Sequence, residues 1–343
     1  MKDNIFVATK QSFCNFLETL SKTYTVVSPY GEENYFFEVF KGKFVFNKYR
    51  PVTSLRQFFV PSQQFLGSYF LEKTVKKKPF CIVGVKACDL QSLKIQDYVF
   101  LESEIDEEYK NMRDNNIIIS SDCIAFKNVC FCVGLDINPY PEELFDLNIS
   151  LVDDVLLVEV GSLKGKKLIE ENQSIFQNAR ESYLEERTVS RSKLVEEIRR
   201  SLKEQGLPSK EILYELVRKG YEKNIWEEEA LKCVECGACI MNCPTCHCFL
   251  IFDTKEGSYF LRGRIWDGCQ YKNFSRVAGG ANPLKLRAQR LRNRYIKKFE
   301  FFPDRIGIYA CTGCGRCIES CIAKIDLREI FRYLYNYNKK SKV

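Results

Sequence analysis

Apolar and polar positions in the first half of the chain follow patterns typical of an α/β fold. One helical face carries Phe13, Phe16, Leu17 and Leu20, with the spacing of an amphipathic α-helix. Short apolar runs then predict strands, including a hairpin formed by residues 35–40 and 43–46. The other predicted strands are Thr25–Ser28, Phe80–Val85, Asn116–Ser120 and Val155–Val160. The pattern predicts an N-terminal α/β domain over residues 1–165.

Between residues 166 and 230 the pattern becomes helical and highly charged. A first helix there carries an apolar stripe of Leu194, Val195, Ile198 and Leu202. Gly206 and Pro208 end this helix, and Ser209 is placed to cap a second one. We therefore expect a helical connector, then a cysteine-rich domain over residues 231–343, in a chain of the α+β class.

The unusual features of the composition are seventeen cysteines and a single histidine. Residues 1–20 lack the continuous apolar core and cleavage site of a secretory signal. No stretch approaches the roughly 18 apolar residues of a membrane-spanning helix. We therefore predict a cytoplasmic protein without a membrane span, in a compartment where disulfides are rare. Clustered cysteines then indicate a metal site, and the lone histidine disfavours His-rich zinc or haem chemistry.

Two runs of four cysteines share the spacing C-x2-C-x2-C-x3-C. The first consists of Cys233, Cys236, Cys239 and Cys243, and the second of Cys311, Cys314, Cys317 and Cys321. In two-cluster ferredoxins the first three cysteines of such a run bind one [4Fe–4S] cluster, and the fourth binds the other. This pattern assigns cluster 1 to Cys233, Cys236, Cys239 and Cys321. It assigns cluster 2 to Cys311, Cys314, Cys317 and Cys243.

The residues around the two runs fit this interpretation with one departure. Gly237, Gly313 and Gly315 leave room for the backbone to wrap a cluster. Pro244 follows the first run, whereas Ile322 stands where the second run should have proline. A zinc site made of CxxC pairs is the alternative. Because zinc takes four tetrahedral ligands, a third cysteine in each run would be surplus, and two [4Fe–4S] clusters are favoured.

A long insertion separates the two runs, since Cys243 and Cys311 lie 68 positions apart. Asn282 and Pro283 mark the predicted start of a helix within it. Its apolar face is formed by Leu284, Ala288, Leu291 and Tyr295. We therefore expect a mainly helical, ferredoxin-like domain.

Three more cysteines follow the first run: Cys246 and Cys248 in CPTCHC, and Cys269 in WDGC. Free cysteine is often a small buried hydrophobe. Packing near the clusters, or hydrogen bonding to them, is therefore favoured over a further metal site. His247 is interpreted as a packing or hydrogen-bonding residue, and Cys14 and Cys81 as core residues.

A second set of cysteines lies in the N-terminal half: Cys88, Cys123, Cys130 and Cys132. Cys88 and Cys123 each end an apolar run, and ligands of α/β sheets gather beyond the carboxyl ends of strands. Cys130 and Cys132 are two positions apart, so in extended chain they face the same way. The four thiolates could bind a third [4Fe–4S] cluster or be buried structural cysteines, and the pattern leaves both interpretations open.

A short segment at the predicted insertion helix is strongly basic. It contains Lys285, Arg287, Arg290, Arg292, Arg294, Lys297 and Lys298. No interleaved stacking aromatics or recognised nucleic-acid fold accompany it, so we expect no nucleic-acid partner. The formal net charge is +7, and two oxidised clusters of about −2 each would lower it to about +3. We interpret the segment as offsetting cluster charge or contacting an acidic partner protein.

Several motifs occur in one order along the chain: GVKACDLQSLKIQDYVFL, VCFC, CVECGACIMNCPTCHCF, RIWDGCQ, AGG, LRNRY and CTGCGRCIESC. In this order the chain resembles the A subunit of anaerobic sulfite reductase and the β subunit of cytoplasmic sulfhydrogenases. Related subunits occur in flavin oxidoreductase–heterodisulfide reductase assemblies. The resemblance covers about residues 75–325, and residues 1–75 match only loosely. The chain departs from the group at Ile322 and at Ala281, where the relatives tend to have histidine.

The resemblance implies an electron-transfer subunit of an anaerobic oxidoreductase. It would stand between a flavin-containing NAD(P)H oxidoreductase subunit, which holds FAD and binds NAD(P)H, and a catalytic redox subunit. It also supports Cys88, Cys123, Cys130 and Cys132 as ligands of a third cluster. We find no GxGxxG after a strand and no GxxxxGKS loop, and no residue set for substrate chemistry, which favours a non-catalytic role. The alternatives are a subunit that reduces a substrate directly at an N-terminal cluster, and a zinc-binding interaction module.

Overall fold

The computed structural model describes residues 4–69, 78–102 and 104–340. The chain divides into two compact units that are discontinuous in sequence. The N-terminal unit comprises residues 1–59, 73–128 and 137–199, and the C-terminal unit residues 60–72, 129–136 and 200–343. The division differs from the sequence pattern at 60–69 and 129–136, because those short segments pack with elements far along the chain, and the predicted connector 166–230 is divided between the two units at residue 200.

The strands, numbered along the whole chain, are β1 (Ile5–Thr9), β2 (Thr25–Tyr30), β3 (Phe36–Val39), β4 (Gln63–Tyr69), β5 (Phe80–Val85), β6 (Ile117–Ser121), β7 (Leu147–Val152), β8 (Val155–Val160), β9 (Gln177–Asn178), β10 (Phe249–Glu256) and β11 (Tyr259–Trp266). The α-helices are α1 (Lys10–Leu20), α2 (Ala87–Asp97), α3 (Glu107–Asn115), α4 (Leu163–Glu170), α5 (Glu181–Glu204), α6 (Lys210–Lys219), α7 (Ile225–Lys232), α8 (Ala238–Met241), α9 (Arg287–Ile296), α10 (Phe302–Ile306), α11 (Arg316–Glu319) and α12 (Leu327–Lys340).

The N-terminal unit is built on a sheet with the strand order β3-β2-β5-β6-β7-β8-β1-β9. Strands β2, β5, β6 and β7 run parallel, and the outer strands pair antiparallel. Strand β5 is a continuous apolar run and β6 begins with three isoleucines, as expected where both faces of a sheet are covered. Phe80–Val85 and Val155–Val160 have the predicted bounds. The predicted N-terminal α/β architecture is confirmed.

Helix α1 covers part of this sheet with its predicted apolar face. Phe13, Phe16, Leu17 and Leu20 are all buried in the core, and the Thr9 hydroxyl caps the helix by accepting from the Ser12 amide. The predicted hairpin is wrong, because Phe36–Val39 pairs with β2 instead and residues 43–46 form no strand. Phe44 packs edge-on against Phe13, with ring centroids 5.2 Å apart. Its apolar character therefore reflects core packing.

A bulge at Gly84 shapes the carboxyl end of β5. The ladder between β5 and β6 shifts register between Val83 and Val85, and Gly84 has a φ of +79°. A Cβ at this position would lie 2.5 Å from Pro29 Cγ and 2.7 Å from Asn47 Oδ1. Only glycine fits both the conformation and the space. The bulge directs the chain into α2.

In the C-terminal unit, helices surround the cysteine runs and a small sheet has the order β10-β11-β4. The expectation of a mainly helical domain missed this sheet, whose third strand, β4, comes from a distant part of the sequence. The insertion helix α9 begins at Arg287, not at Asn282. The Asn282 side chain instead accepts a hydrogen bond from the Leu284 amide at 3.1 Å, so it caps a turn before the helix.

We predict that Gly84→Ala destabilises the N-terminal unit. The added Cβ would meet Pro29 and Asn47, and overpacking of this kind costs about 1–3 kcal/mol. Urea unfolding under anaerobic conditions measures the effect. Gly67→Ala is the matched control, since its Cβ would meet nothing within 4 Å. Equal unfolding midpoints for the two variants would contradict the role given to the bulge.

Candidate metal centres

The two cysteine runs have the same local structure. In the first run, Gly237 adopts a φ of +74° and precedes the single helical turn α8. In the second run, Gly315 adopts a φ of +71° and precedes the turn α11. Cys239 and Cys317 lie within these turns, and Cys243 and Cys321 follow them. The sequence repeat is therefore also a structural repeat.

The first cavity of the C-terminal unit brings together cysteines from both runs. Its lining includes Cys233, Cys236, Cys239 and Cys321, with Arg294 and Tyr295 beside them. These four cysteines are the set assigned to cluster 1 from the spacing. Cys236 is exposed, and the other three are partly buried. The first cavity therefore lies close to the protein surface.

A second cavity contains the complementary set. It is lined by Cys311, Cys314, Cys317 and Cys243, together with Phe131, Thr312, Arg294 and Lys298. Cys317 and Arg294 border both cavities. Cys243 and Cys314 are buried, so the cysteines of this set are less exposed than those of the first. The structure thus brings together the four cysteines assigned to cluster 2.

Close contact between the two runs explains the exchange of the fourth cysteine. The Ser320 hydroxyl, next to Cys321, donates to the carbonyl of Ala238 at 3.4 Å. This contact places the end of the second run beside the turn of the first. The end of the second run therefore lies against the loop of the first, and Cys243 shares the second cavity with the loop of the second run.

The C-terminal unit also includes the segment 129–136, which packs on the second cysteine loop. The Phe131 amide donates to the Gly313 carbonyl at 2.8 Å. A Cβ on Gly313 would lie 2.5 Å from the Cys132 nitrogen, and one on Gly315 would lie 2.3 Å from the Val129 carbonyl oxygen. The glycines of the second run therefore make room for this segment as well as for the turn.

Two buried cations lie among the cysteines. Arg294 Nη2 donates to the Cys239 carbonyl at 3.4 Å, and Lys298 Nζ lies 3.4 Å from Cys243 Sγ. Burial would lower the pKa of each, but nearby thiolates outweigh it and raise both pKa values. Both side chains are therefore charged where thiolates are present.

The thiols themselves need a cation to ionise. Burial raises the pKa of Cys239 and of Cys311 to about 12. A hydrogen bond from the Cys246 thiol lowers the pKa of Cys243 well below its usual range, and Lys298 acts in the same direction. Iron binds cysteine as thiolate, so iron and the buried cations favour the same ionised state.

Unpaired polar atoms in the cavity walls also fit a cluster. Among the described residues, the buried side-chain atoms without a hydrogen-bond partner include Arg294 Nε, Tyr295 Oη and Thr312 Oγ1. They belong to residues that line the two cavities. Donors of this kind are satisfied by the sulfurs of an iron–sulfur cluster. In the described residues, no three His, Cys, Asp or Glu side chains converge on a single-ion site.

The remaining cysteines of the C-terminal unit lie near the ligand set. The Cys246 thiol contacts Cys243, and buried Cys269 accepts from Gln270 Nε2 at 3.7 Å. Cys248 lies near Cys269. His247 Nδ1 lies 3.1 Å from the Thr245 carbonyl oxygen, and its ring packs edge-on against Phe302. These contacts support the packing and hydrogen-bonding roles expected for this group.

The structure divides the N-terminal cysteine set between the two units. Cys88 lies in the first turn of α2 rather than at a strand end, because β5 ends at Val85. Cys123 lies two residues beyond β6, the parallel neighbour of β5. Cys130 and Cys132 belong to the C-terminal unit, and Cys130 Sγ lies 4.0 Å from the Cys314 carbonyl oxygen. A third cluster on these four residues stays a prediction.

A buried lysine lies at the ends of β5 and β6. Lys86 Nζ donates to the Asn47 carbonyl at 2.6 Å, to Ser121 Oγ at 2.8 Å and to the Asp122 carbonyl at 2.7 Å. Burial lowers the pKa of Lys86 to about 8, while Cys123, Asp122 and Cys88 oppose this shift. The sequence pattern gave no indication of this residue.

Part of the basic segment faces inward. Arg290, Arg294 and Lys298 are buried, and Arg287 Nη1 donates to the Cys233 carbonyl at 2.6 Å. Arg290 pairs with Glu235 in the first cysteine loop. These contacts support the interpretation that the segment offsets negative charge at the cysteines. Phe131, Thr245 and Thr312 also line the second cavity; they lie inside motifs that were quoted for their cysteines, and nothing in those motifs singled them out.

Comparison with known proteins agrees with the geometry. A family model described as a 4Fe-4S dicluster domain matches residues 232–325. The β subunit of sulfhydrogenase 2 from Pyrococcus furiosus is 34% identical to the chain over 248 residues. The match covers 72% of this chain and 71% of that subunit. It therefore extends well beyond the cysteine runs.

We predict that Cys236→Ser and Cys314→Ser each remove or convert one cluster, because a serine oxygen is a poor substitute for thiolate on iron. Each variant should lose up to about four irons per chain, measured by iron analysis and electron paramagnetic resonance (EPR) after anaerobic purification. Cys14→Ser, in the core of the N-terminal unit, should leave the iron content unchanged. Full iron and parental spectra in both ligand variants would refute the assignment.

Proposed function

The chain belongs to the family of sulfhydrogenase β subunits, and from this premise we propose that it is an iron–sulfur electron-transfer subunit of a multi-subunit oxidoreductase of the hydrogenase type. The observation that carries the proposal is the pair of cavities, whose walls each include the first three cysteines of one run and the fourth of the other, with Cys317 bordering both. The dicluster match over residues 232–325 covers the same cysteines.

We assign one [4Fe–4S] cluster to Cys233, Cys236, Cys239 and Cys321, and another to Cys311, Cys314, Cys317 and Cys243. Such clusters, when bound, supply reversible one-electron storage. The protein's part is to supply thiolates, to balance their charge with Arg294 and Lys298, and to limit water at the second cavity. Cys317 borders both cavities, which supports a short path between the two sites.

We further propose that the chain accepts electrons from a flavin-containing NAD(P)H oxidoreductase subunit and delivers them to a catalytic redox subunit. The support is the relative, which is itself named as one subunit of a sulfhydrogenase. The catalytic subunit proposed is of the hydrogenase type, and a sulfite reductase or a heterodisulfide reductase is the alternative. In the described part of the chain, no helix is long and apolar enough to cross a bilayer. We propose the cytoplasm as its compartment, where the many free cysteines stay reduced.

We predict that NAD(P)H reduces the clusters only when a flavin subunit is present. The purified chain should be bleached by dithionite but not by NAD(P)H. Adding the co-purified flavoprotein should restore NAD(P)H-dependent bleaching near 400 nm. Dithionite is the control for intact clusters. The proposal would fail if the isolated chain were reduced by NAD(P)H, or if it turned over a substrate with a simple electron donor.

The N-terminal cysteine set gives a separate prediction. If Cys88, Cys123, Cys130 and Cys132 bind a third [4Fe–4S] cluster, the full chain holds about twelve irons, and Cys88→Ser lowers the count to about eight. Cys81→Ser, fully buried in the core, is the matched control. About eight irons in both the parent and Cys88→Ser would show that the four cysteines are structural.

A further inference from the structure

Lys298 is a buried lysine at the point where the two cysteine runs meet. It lies in the π-helical turn Lys297–Phe301 that continues α9. Its ammonium donates to Cys243 Sγ at 3.4 Å, Thr245 Oγ1 at 2.6 Å and the Ala310 carbonyl at 2.8 Å. Its own carbonyl accepts from the Ala310 amide at 2.9 Å. The residue is therefore fixed to the fourth ligand of one run and to the residue before the first ligand of the other.

The partners of Lys298 leave its charge uncompensated unless Cys243 is ionised. All three protons of the ammonium are donated, but the hydroxyl of Thr245 and the carbonyl of Ala310 are neutral acceptors. A buried charge is stable only when it is paired and hydrogen-bonded. Cys243 is the one of the three partners that can carry a negative charge. The charge of Lys298 is therefore compensated when an anionic group lies at the second cavity.

We propose that Lys298 raises the reduction potential of the cluster assigned to Cys311, Cys314, Cys317 and Cys243. The inference rests on the proposed two-cluster function. Lys298 acts by its charge and by an N–H···S hydrogen bond to Cys243 Sγ. Each added electron makes the thiolate-bound cluster more negative, and a cation next to a ligand sulfur stabilises the reduced form more than the oxidised form.

The difference in burial between the two cysteine sets explains why the second site needs such a cation. Cys243 and Cys314 are buried, whereas Cys236 in the first cavity is exposed. Adding negative charge in a low-dielectric site is unfavourable, so burial alone would make the second site the poorer electron acceptor. Arg294 borders both cavities, so its charge acts on both sites. Lys298 lines the second cavity. Lys298 thus offsets the penalty of burial at the second site.

The test is a redox titration of the full-length protein, followed by EPR. Removing the charge with Lys298→Met should lower one of the two midpoint potentials and leave the other in place. We expect the equilibrium constant for reducing that cluster to fall at least tenfold, which is about 59 mV for a one-electron couple. The matched control is Lys297→Met, because Lys297 is the exposed neighbour in the same turn. It should change neither potential.

A second variant separates charge from packing. Lys298→Arg keeps the charge and should keep the potential near that of the parent. If Lys298→Met loses the second cluster while Lys298→Arg retains it at the parental potential, the need for the cation is upheld. If Lys298→Arg also loses it, Lys298 acts by fit alone and the inference is overturned. Unchanged potentials in a fully loaded Lys298→Met protein would overturn it as well. A parent protein without two clusters would instead refute the proposed function.

Discussion

The pairing of buried cations with cysteine thiolates is the interaction on which the C-terminal unit depends. Burial alone favours the neutral form of Cys239 and Cys311, and it disfavours the charged forms of Arg294 and Lys298. The two penalties are relieved together when thiolate and cation lie side by side. Iron–sulfur ligation requires the same thiolate form. The buried cations and iron–sulfur ligation therefore both require the thiolate form of these cysteines.

The long insertion between the cysteine runs contributes to this constraint. It contains the hairpin β10–β11, and its last part consists of α9, the π-helical turn Lys297–Phe301 and α10. Arg290, Arg294 and Lys298 all come from this last part. The insertion therefore does more than connect the two runs, since it supplies the cations for cysteines that lie before and after it in the sequence.

Sequence reasoning succeeded where the determining signal is local. The cysteine spacing assigned two sets of four residues, and each set lines a cavity. The strands Phe80–Val85 and Val155–Val160 followed directly from short apolar runs. A signal for the buried cations was also present, because Arg290, Arg294 and Lys298 recur every four residues on the side of the apolar residues Leu291 and Tyr295. In a uniformly basic segment, however, basic residues that are buried at this spacing look the same in the sequence as basic residues on a solvent-exposed helix face.

The failures have long-range causes. Strand β4 pairs with β11 across almost two hundred residues, and no local pattern specifies such a partner. The hairpin strands also lack clean alternation, since apolar residues such as Leu250 and Ile251 are exposed at consecutive positions. Likewise, the segment 129–136 packs on the second cysteine loop through main-chain contacts of Phe131 and Gly313. Such contacts depend on the fold, and because they involve main-chain atoms they can be made by almost any residue type.

The two lysines that are buried within the described part of the chain show why the C-terminal sites are better defined than the N-terminal one. Lys86 and Lys298 each donate three hydrogen bonds, but only Lys298 has a sulfur among its acceptors. Thiolates raise the pKa of Lys298, whereas burial lowers the pKa of Lys86 to about 8. Lys86 can therefore hold the ends of β5 and β6 together without any anion in contact with its ammonium. The charge of Lys298 is opposed by the thiolates of Cys243, Cys246 and Cys311, and Cys243 is the one among its hydrogen-bond acceptors, so its surroundings suit thiolate ligands.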